Sequence, residues 1–301
     1  MPWIQNIQRE SGCLNRAVIW FTPLLLIQII SSEINMKSKV IVISPNPYSR
    51  YTLTTLYLLK QMNIQVTAVV SLKLLNVNRI FSEFRRDGVR LLRKVYRKLI
   101  LKSSENTVSG DDNIVSFMAE NNMSFISVPK YCNDNNIQYV TTANLNDDKV
   151  YKLLDEHQPD CIAFTGGGLL RKGIIERSGK GVINCHMGIL PYYRGMDVVQ
   201  WPILNRDFDN IGMTTHIIDR GVDTGDILEI FKIDSSNYPD LKSLRNAFER
   251  LMPQVLAKSC EGLLNGSIVP KSQSPKDGIQ HFVSNKRLAP LIDQLLQSQK
   301  S

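Results

Sequence analysis

The sequence predicts an α/β fold with a mostly parallel sheet flanked by helices. Two observations predict it. From Lys39 onward, short β-branched apolar runs alternate with amphipathic stretches of helical period. The first of these runs, Val40 to Ser44, is apolar and β-branched, as expected of a strand covered on both faces.

The elements follow in order. Residues 40–44 form the first strand, ended by Pro45-Asn46-Pro47, and 53–62 read as a helix. Residues 65–71 are the second strand. A long amphipathic helix is predicted over 80–102, with Phe81, Phe84, Leu91, Leu92, Val95 and Leu99 at steps of three and four. Its remaining surface is strongly basic. That reads as a solvated face, with a phosphate- or RNA-contacting patch as the sharper alternative. Residues 103–113 are a polar loop, 114–121 a short helix and 124–128 a strand. A helix spans 146–157, with Asn144 or Asn146 as its cap. The strand 161–164 runs into Thr165-Gly166-Gly167-Gly168, followed by a short helix at 173–177 and a strand at 181–184. Strands at 214–218 and 227–233 are joined through a glycine-rich turn. Helices at 241–264 and 288–297 complete the pattern, and no internal repeat is present.

Composition narrows the function. Apolar residues at 43% and charged residues at 21% describe a globular chain rather than a disordered one. The net charge of +8 favours anionic partners without selecting among them. The five cysteines are scattered singly, without a CxxC pair, which argues against a secreted disulfide framework and for the cytoplasm. The four histidines lack zinc-motif spacing, so no metal is expected. The apolar run at 17–30 is broken by Thr22, Pro23 and Gln28 and is shorter than the ~20 residues that cross a bilayer. Met36-Lys37-Ser38-Lys39 before the first strand looks like the start of a cytoplasmic protein. The expected division is therefore an upstream extension at 1–35, a catalytic domain at 36–265 and a C-terminal extension at 266–301. A membrane anchor in the leader is the less favoured reading.

The chemistry-bearing residues cluster late in the chain. Asn184-Cys185-His186 stands at the end of a predicted strand, where residues two apart project to one face. Asn184 and His186 can then share a crevice while Cys185 turns to the core. Leu190-Pro191-Tyr192-Tyr193-Arg194-Gly195 follows. Next come Gly212-Met213-Thr214-Thr215-His216 and Asp219-Arg220-Gly221-Val222-Asp223-Thr224-Gly225.

These segments resemble the folate-dependent formyltransferases, whose pattern is Asn-x-His, Leu-Pro-x-Tyr-Arg-Gly, Gly-x-Thr-x-His and Asp-x-Gly-x-Asp-x-Gly. The likeness is close from Asp160 to about Leu264. It implies a Rossmann-like fold, 10-formyltetrahydrofolate as formyl donor without a metal, and Asn184, His186 and Asp223 as catalytic residues. Asn184 and His186 would stabilise the oxyanion formed when an amine attacks the formyl carbon. Asp223 would orient His186, favour its charged form and hold a water that carries the amine proton toward the folate nitrogen. Asp219 is the alternative carboxylate, and His216 matches a family histidine that flanks the site. Leu169, Leu170 and Arg171 would line the pterin on one side, with the turn from Asp219 to Val222 on the other. Three adjacent glycines depart from the bulkier family pattern there. Arg194 either orders its loop or meets an anion.

The acceptor is read from what surrounds the motif. Pro45 and Pro47 remove amide donors from the loop after the first strand, which disfavours a phosphate cradle and with it glycinamide ribonucleotide. Members acting on methionyl-tRNA usually add a β-rich domain, for which the roughly 37 residues after Leu264 look too few; the basic 80–102 helix keeps nucleic acid in view. The favoured acceptor is a small-molecule amine carrying phosphate, an amino sugar on a nucleotide. Hydrolysis of the formylfolate is the further alternative. The oligomeric state is not legible.

Overall fold

The computed structural model describes residues 38–73, 113–274 and 276–300. The leader and the basic helix expected at 80–102 lie outside the described residues, and so does the proposed patch on that helix.

Strand β1 (Lys39–Ser44) is buried along nearly its whole length and occupies the middle of the sheet. Helix α1 (Arg50–Gln61) starts three residues earlier than expected, because the Ser49 hydroxyl accepts from the Thr52 amide and caps it. Strand β2 (Gln65–Leu72) follows. Then come α2 (Ile114–Glu120), capped by a reciprocal Asn113–Ser116 box, α3 (Val128–Asp134) and β3 (Gln138–Thr142). The strand expected at 124–128 is absent. Ser127 accepts from the Lys130 amide and Pro129 sits in the first turn, so this stretch opens a helix. The third strand falls instead on 138–142, whose mixed residues gave no apolar signal.

Helix α4 (Asp148–His157) is capped by Asp147, not by Asn144 or Asn146. After β4 (Cys161–Phe164) come α5 (Lys172–Ile175), β5 (Val182–His186), β6 (Tyr193–Gly195) and α6 (Gln200–Leu204). Strands β7 (Gly212–Ile217) and β8 (Ile227–Lys232) lead into α7 (Leu241–Asn265), then β9 (Ile279–His281) and α8 (Ala289–Gln297).

The main sheet has the order β3-β2-β1-β4-β5-β7-β8. The first five strands are parallel, and β7 and β8 are added antiparallel at the edge. One face packs on α1, α3, α7 and α8, around Leu56, Phe248, Leu256 and Leu296. The other face packs on α4 and α5, around Val150, Leu154, Leu170 and Ile174. No helix among the described residues is long and apolar enough to cross a membrane.

The stretch after α7 is woven into this body. Strand β9 pairs in parallel with β6, Lys271 bridges to Ile227, and Ile292, Leu295 and Leu296 of α8 are buried in the larger core.

Candidate active site

Strand β5 carries two side chains toward the α4–α5 face of the sheet, as two-residue spacing requires. Asn184 lies opposite His216 in the β5–β7 register, and its Nδ2 donates to His216 Nε2 at 3.1 Å. His186 ends the strand, buried, with Nε2–H donating to the Tyr193 carbonyl at 2.8 Å. Its Nδ1 edge is thereby left facing Asp223, with Nδ1 and Oδ2 3.6 Å apart. Asp223 Oδ1 is also 3.6 Å from His216 Nε2. These separations exceed a direct hydrogen bond but hold the carboxylate against both imidazole rings. Among the described residues there is no cluster suited to holding a metal ion.

Asp223 reaches this place by an unexpected route. Strand β7 runs antiparallel to β5, so Ile217 lies beside Ile183 and the chain leaves β7 at the amino end of β5. The 218–226 loop then doubles back over the sheet face. Asp223, at φ +53°, turns its carboxylate toward β5, and Oδ2 accepts from the Gly195 amide at 2.8 Å. Asn184 and His186 stand on the strand, as expected, and Asp223 is carried by the returning glycine-rich turn.

Asp219 holds that loop together. Its carboxylate accepts from the Gly221 amide and from the Thr224 hydroxyl, so it is committed to the turn and is not beside His186. Gly225 is needed for the fold-back, since a side chain there would strike the Ile217 carbonyl.

His216 is nearly wholly buried, and burial is the largest influence lowering its pKa, to about 4. The neighbouring His186 pushes the same way, and Asp223 opposes both. His216 is therefore neutral at pH 7, with the proton on Nδ1, which faces the Ile217 carbonyl at 3.1 Å. Its free Nε2 lone pair fixes which end of the Asn184 carboxamide faces it. Cys185 points to the opposite face, and burial lifts its thiol to about 12, so it is no nucleophile.

The residues expected to meet folate divide. Leu169 is 75% exposed and Val222 45% exposed, whereas the Leu170 side chain is buried in the smaller core. Arg171 is exposed. The Asn146 carboxamide grips this loop, donating to the Leu169 carbonyl and accepting from the Arg171 amide, which the sequence reading missed. Gly166, Gly167 and Gly168 all have φ above +100°, where side chains are strained, and a Cβ at Gly168 would meet nothing. Gly168 thus leaves open space beside Leu169, while Gly166 and Gly167 pack against Pro45, Leu145 and Leu72. The facing turn is tied to α5 through Arg220 and Glu176 at 3.3 Å. An open shelf with exposed apolar side chains suits a flat ring with an amide-like edge.

A cleft of about 300 Å³ wraps around the end of β5, lined by both catalytic candidates on the strand and by Met187, Gly195, Val198 and Arg245. Arg194 is buried and donates Nη2 to the Gly278 carbonyl at 2.6 Å, so it orders its loop. Gln273, which no sequence signal marked, donates to the carbonyls of Asp223 and Gly225.

The comparisons with known proteins follow the same segments. The methionyl-tRNA formyltransferase of Finegoldia magna is 35% identical over 127 residues, 42% of this chain and 41% of that protein. Its counterpart from Clostridium tetani is 31% identical over 160 residues, 52% of this chain and 51% of that protein. The chain thus spans about half or less of the length of these curated relatives. Among solved structures, glycinamide ribonucleotide transformylase 1 from Symbiobacterium toebii superposes with a TM-score of 0.51 at 11% identity, over 79% of this chain and 94% of that one, a likeness of fold. The family model described as formyl transferase matches residues 102–259, more than half of the chain, and the protein belongs to that family.

Proposed function

We propose that the protein transfers a formyl group from 10-formyltetrahydrofolate to a primary amine, and that the amine belongs to an amino sugar carried on a nucleotide. The observation carrying this reading is the convergence of Asn184, His186, His216 and Asp223 within hydrogen-bonded or ionic reach of one another. The donor supplies an activated formyl carbon. Asn184 holds one amide N–H on His216 and keeps the second for the carbonyl oxygen as it gains charge. His186 in its charged form donates from Nδ1 to the same oxygen. Preorganised donors of this kind act on charge that develops only in the transition state. Asp223, across from Nδ1, orients the ring and accepts the proton that the attacking amine must lose. That proton passes to the folate nitrogen as its bond to carbon breaks.

The shelf beside Leu169 and Gly168 and the turn at Asp219–Val222 would receive the pterin. Backbone groups near Arg171 and the exposed Leu169 and Val222 side chains would make the contacts; Leu170, buried, would support the shelf from beneath. The amino-sugar acceptor rests on Pro45 and Pro47 after β1 and on the use of β9 and α8 to brace the catalytic body. Methionyl-tRNA is the second reading, favoured by the names of the sequence relatives.

The test is incubation of the purified chain with 10-formyltetrahydrofolate and a panel of nucleotide-linked amino sugars, with charged initiator tRNA alongside. The expected result is the mass gain of replacing H by CHO on one nucleotide-linked sugar. Formylation of the tRNA alone would sink the amino-sugar reading but leave formyl transfer standing. Tetrahydrofolate release with no formylated product would identify a hydrolase.

A further inference from the structure

We infer that Gln273 is a positioning residue for Asp223, and that residues 271–274 and 276–284 form a strap without which the catalytic carboxylate is not held in place. The inference rests on the proposed role of Asp223.

Two loops must meet to build the site. One follows His186 and contains Gly195; the other follows β7 and contains Asp223. The bond from the Gly195 amide to Asp223 Oδ2 joins them. Asp223 is held at φ +53°, a conformation unfavourable for a residue with a side chain, so something beyond that single bond must keep it there.

The strap touches both loops. Gln273 Nε2 donates to the Asp223 carbonyl at 3.1 Å and to the Gly225 carbonyl, which brackets the catalytic residue. Both partners are carbonyl oxygens that only accept, so the amide orientation is fixed by chemistry. Just before it, Lys271 pairs with Ile227 at the start of β8. Beyond it, Gly278 accepts from Arg194, and β9 runs beside β6. Pro191 leaves no room for a side chain at Gly278. One segment thus fixes the His186 loop through β6 and the Asp223 loop through Gln273. Without the Gln273 donor, two carbonyls of a tight loop lose a buried partner, and the carboxylate is free to swing from Nδ1.

The test uses the full chain labelled with 15N and follows deuterium exchange of the Gly195 amide, which the Asp223 carboxylate holds, in wild type, Asp223→Ala, Gln273→Met and Gln273→Glu. Removing the carboxylate in Asp223→Ala should speed that exchange. Gln273→Met keeps the shape without a donor and should speed it by a smaller factor, roughly threefold. Melting temperature measured alongside separates this from loss of fold. Gln273→Glu supplies an internal control in one protein: ionised, its carboxylate repels both carbonyls, while protonated it donates to one. Its formyl-transfer rate relative to wild type should therefore recover as pH falls from 8 to about 5, with KM for donor and acceptor little changed. Faster exchange in Asp223→Ala but in neither Gln273 variant would overturn the strap. Unchanged formyl transfer in Asp223→Ala would overturn the role of Asp223 itself.

Discussion

At the scale of residues, one neutral histidine sets the orientation of the amide beside it. His216 accepts from Asn184 only while Nε2 is unprotonated, so its buried, proton-poor state matters for the site. The same burial has a cost in stability at low pH. The unfolded chain binds a proton at His216 near pH 6.5 and the folded chain only near 4. Between those values the unfolded state holds more protons, so stability is full above 6.5 and falls as pH drops toward 4, by on the order of 3 kcal/mol. Urea titrations from pH 7 to 4 should show this slope, and His216→Gln should flatten it. For catalysis, Asn184→Ala is expected to lower kcat by ~10²–10³. His186→Ala and Asp223→Ala should abolish turnover with the melting transition retained. Cys185→Ala should leave kcat unchanged, since the thiol faces the core; full loss of activity there would point to covalent chemistry instead. Asn184, His186 and Asp223 were legible because their spacing sits inside a long ordered motif. Asn146 and Gln273 were not, because a side chain gripping a distant backbone leaves no local pattern in the sequence.

At the scale of elements, caps and patterning explain what could be read. Helix α7 was visible because its apolar residues recur along its length; the structure adds a capping box that Asp240 and Ser243 close before it. Asp240→Ala should cost about 1 kcal/mol in chemical denaturation without changing kcat. Strands β1 and β4 were visible as unbroken apolar runs at the middle of the sheet. Strand β3, at the sheet edge, is only half-buried, so its residues need not be apolar, and 138–142 passed as loop. The 124–128 stretch misled for a related reason. Phe125, Ile126 and Val128 suggested a strand, but Phe125 is half exposed under the Arg50 guanidinium and only Val128 is fully buried.

At the scale of the whole molecule, the parallel majority of the sheet followed from alternation alone, while the strand order came only with the structure. The antiparallel turn at β7 did not, since nothing in the composition of a strand states its direction. Helix α8 lies beyond the division expected at residue 265. Helix α8 contributes Leu296, wholly buried, to the same core as β1 and α1. Leu296→Ala should therefore destabilise the protein by about 2–5 kcal/mol in a single transition common to all probes. A separate early transition would mark the C-terminal stretch as independent.

The route by which Asp223 arrives has a dynamic consequence. A group mounted on a strand leaves its place only if the sheet breaks, whereas one mounted on a returning loop can depart while every ladder stays closed. Such openings need far less free energy than global unfolding. The Gly195 amide is covered by that carboxylate, so its rate of deuterium uptake counts how often the site comes apart.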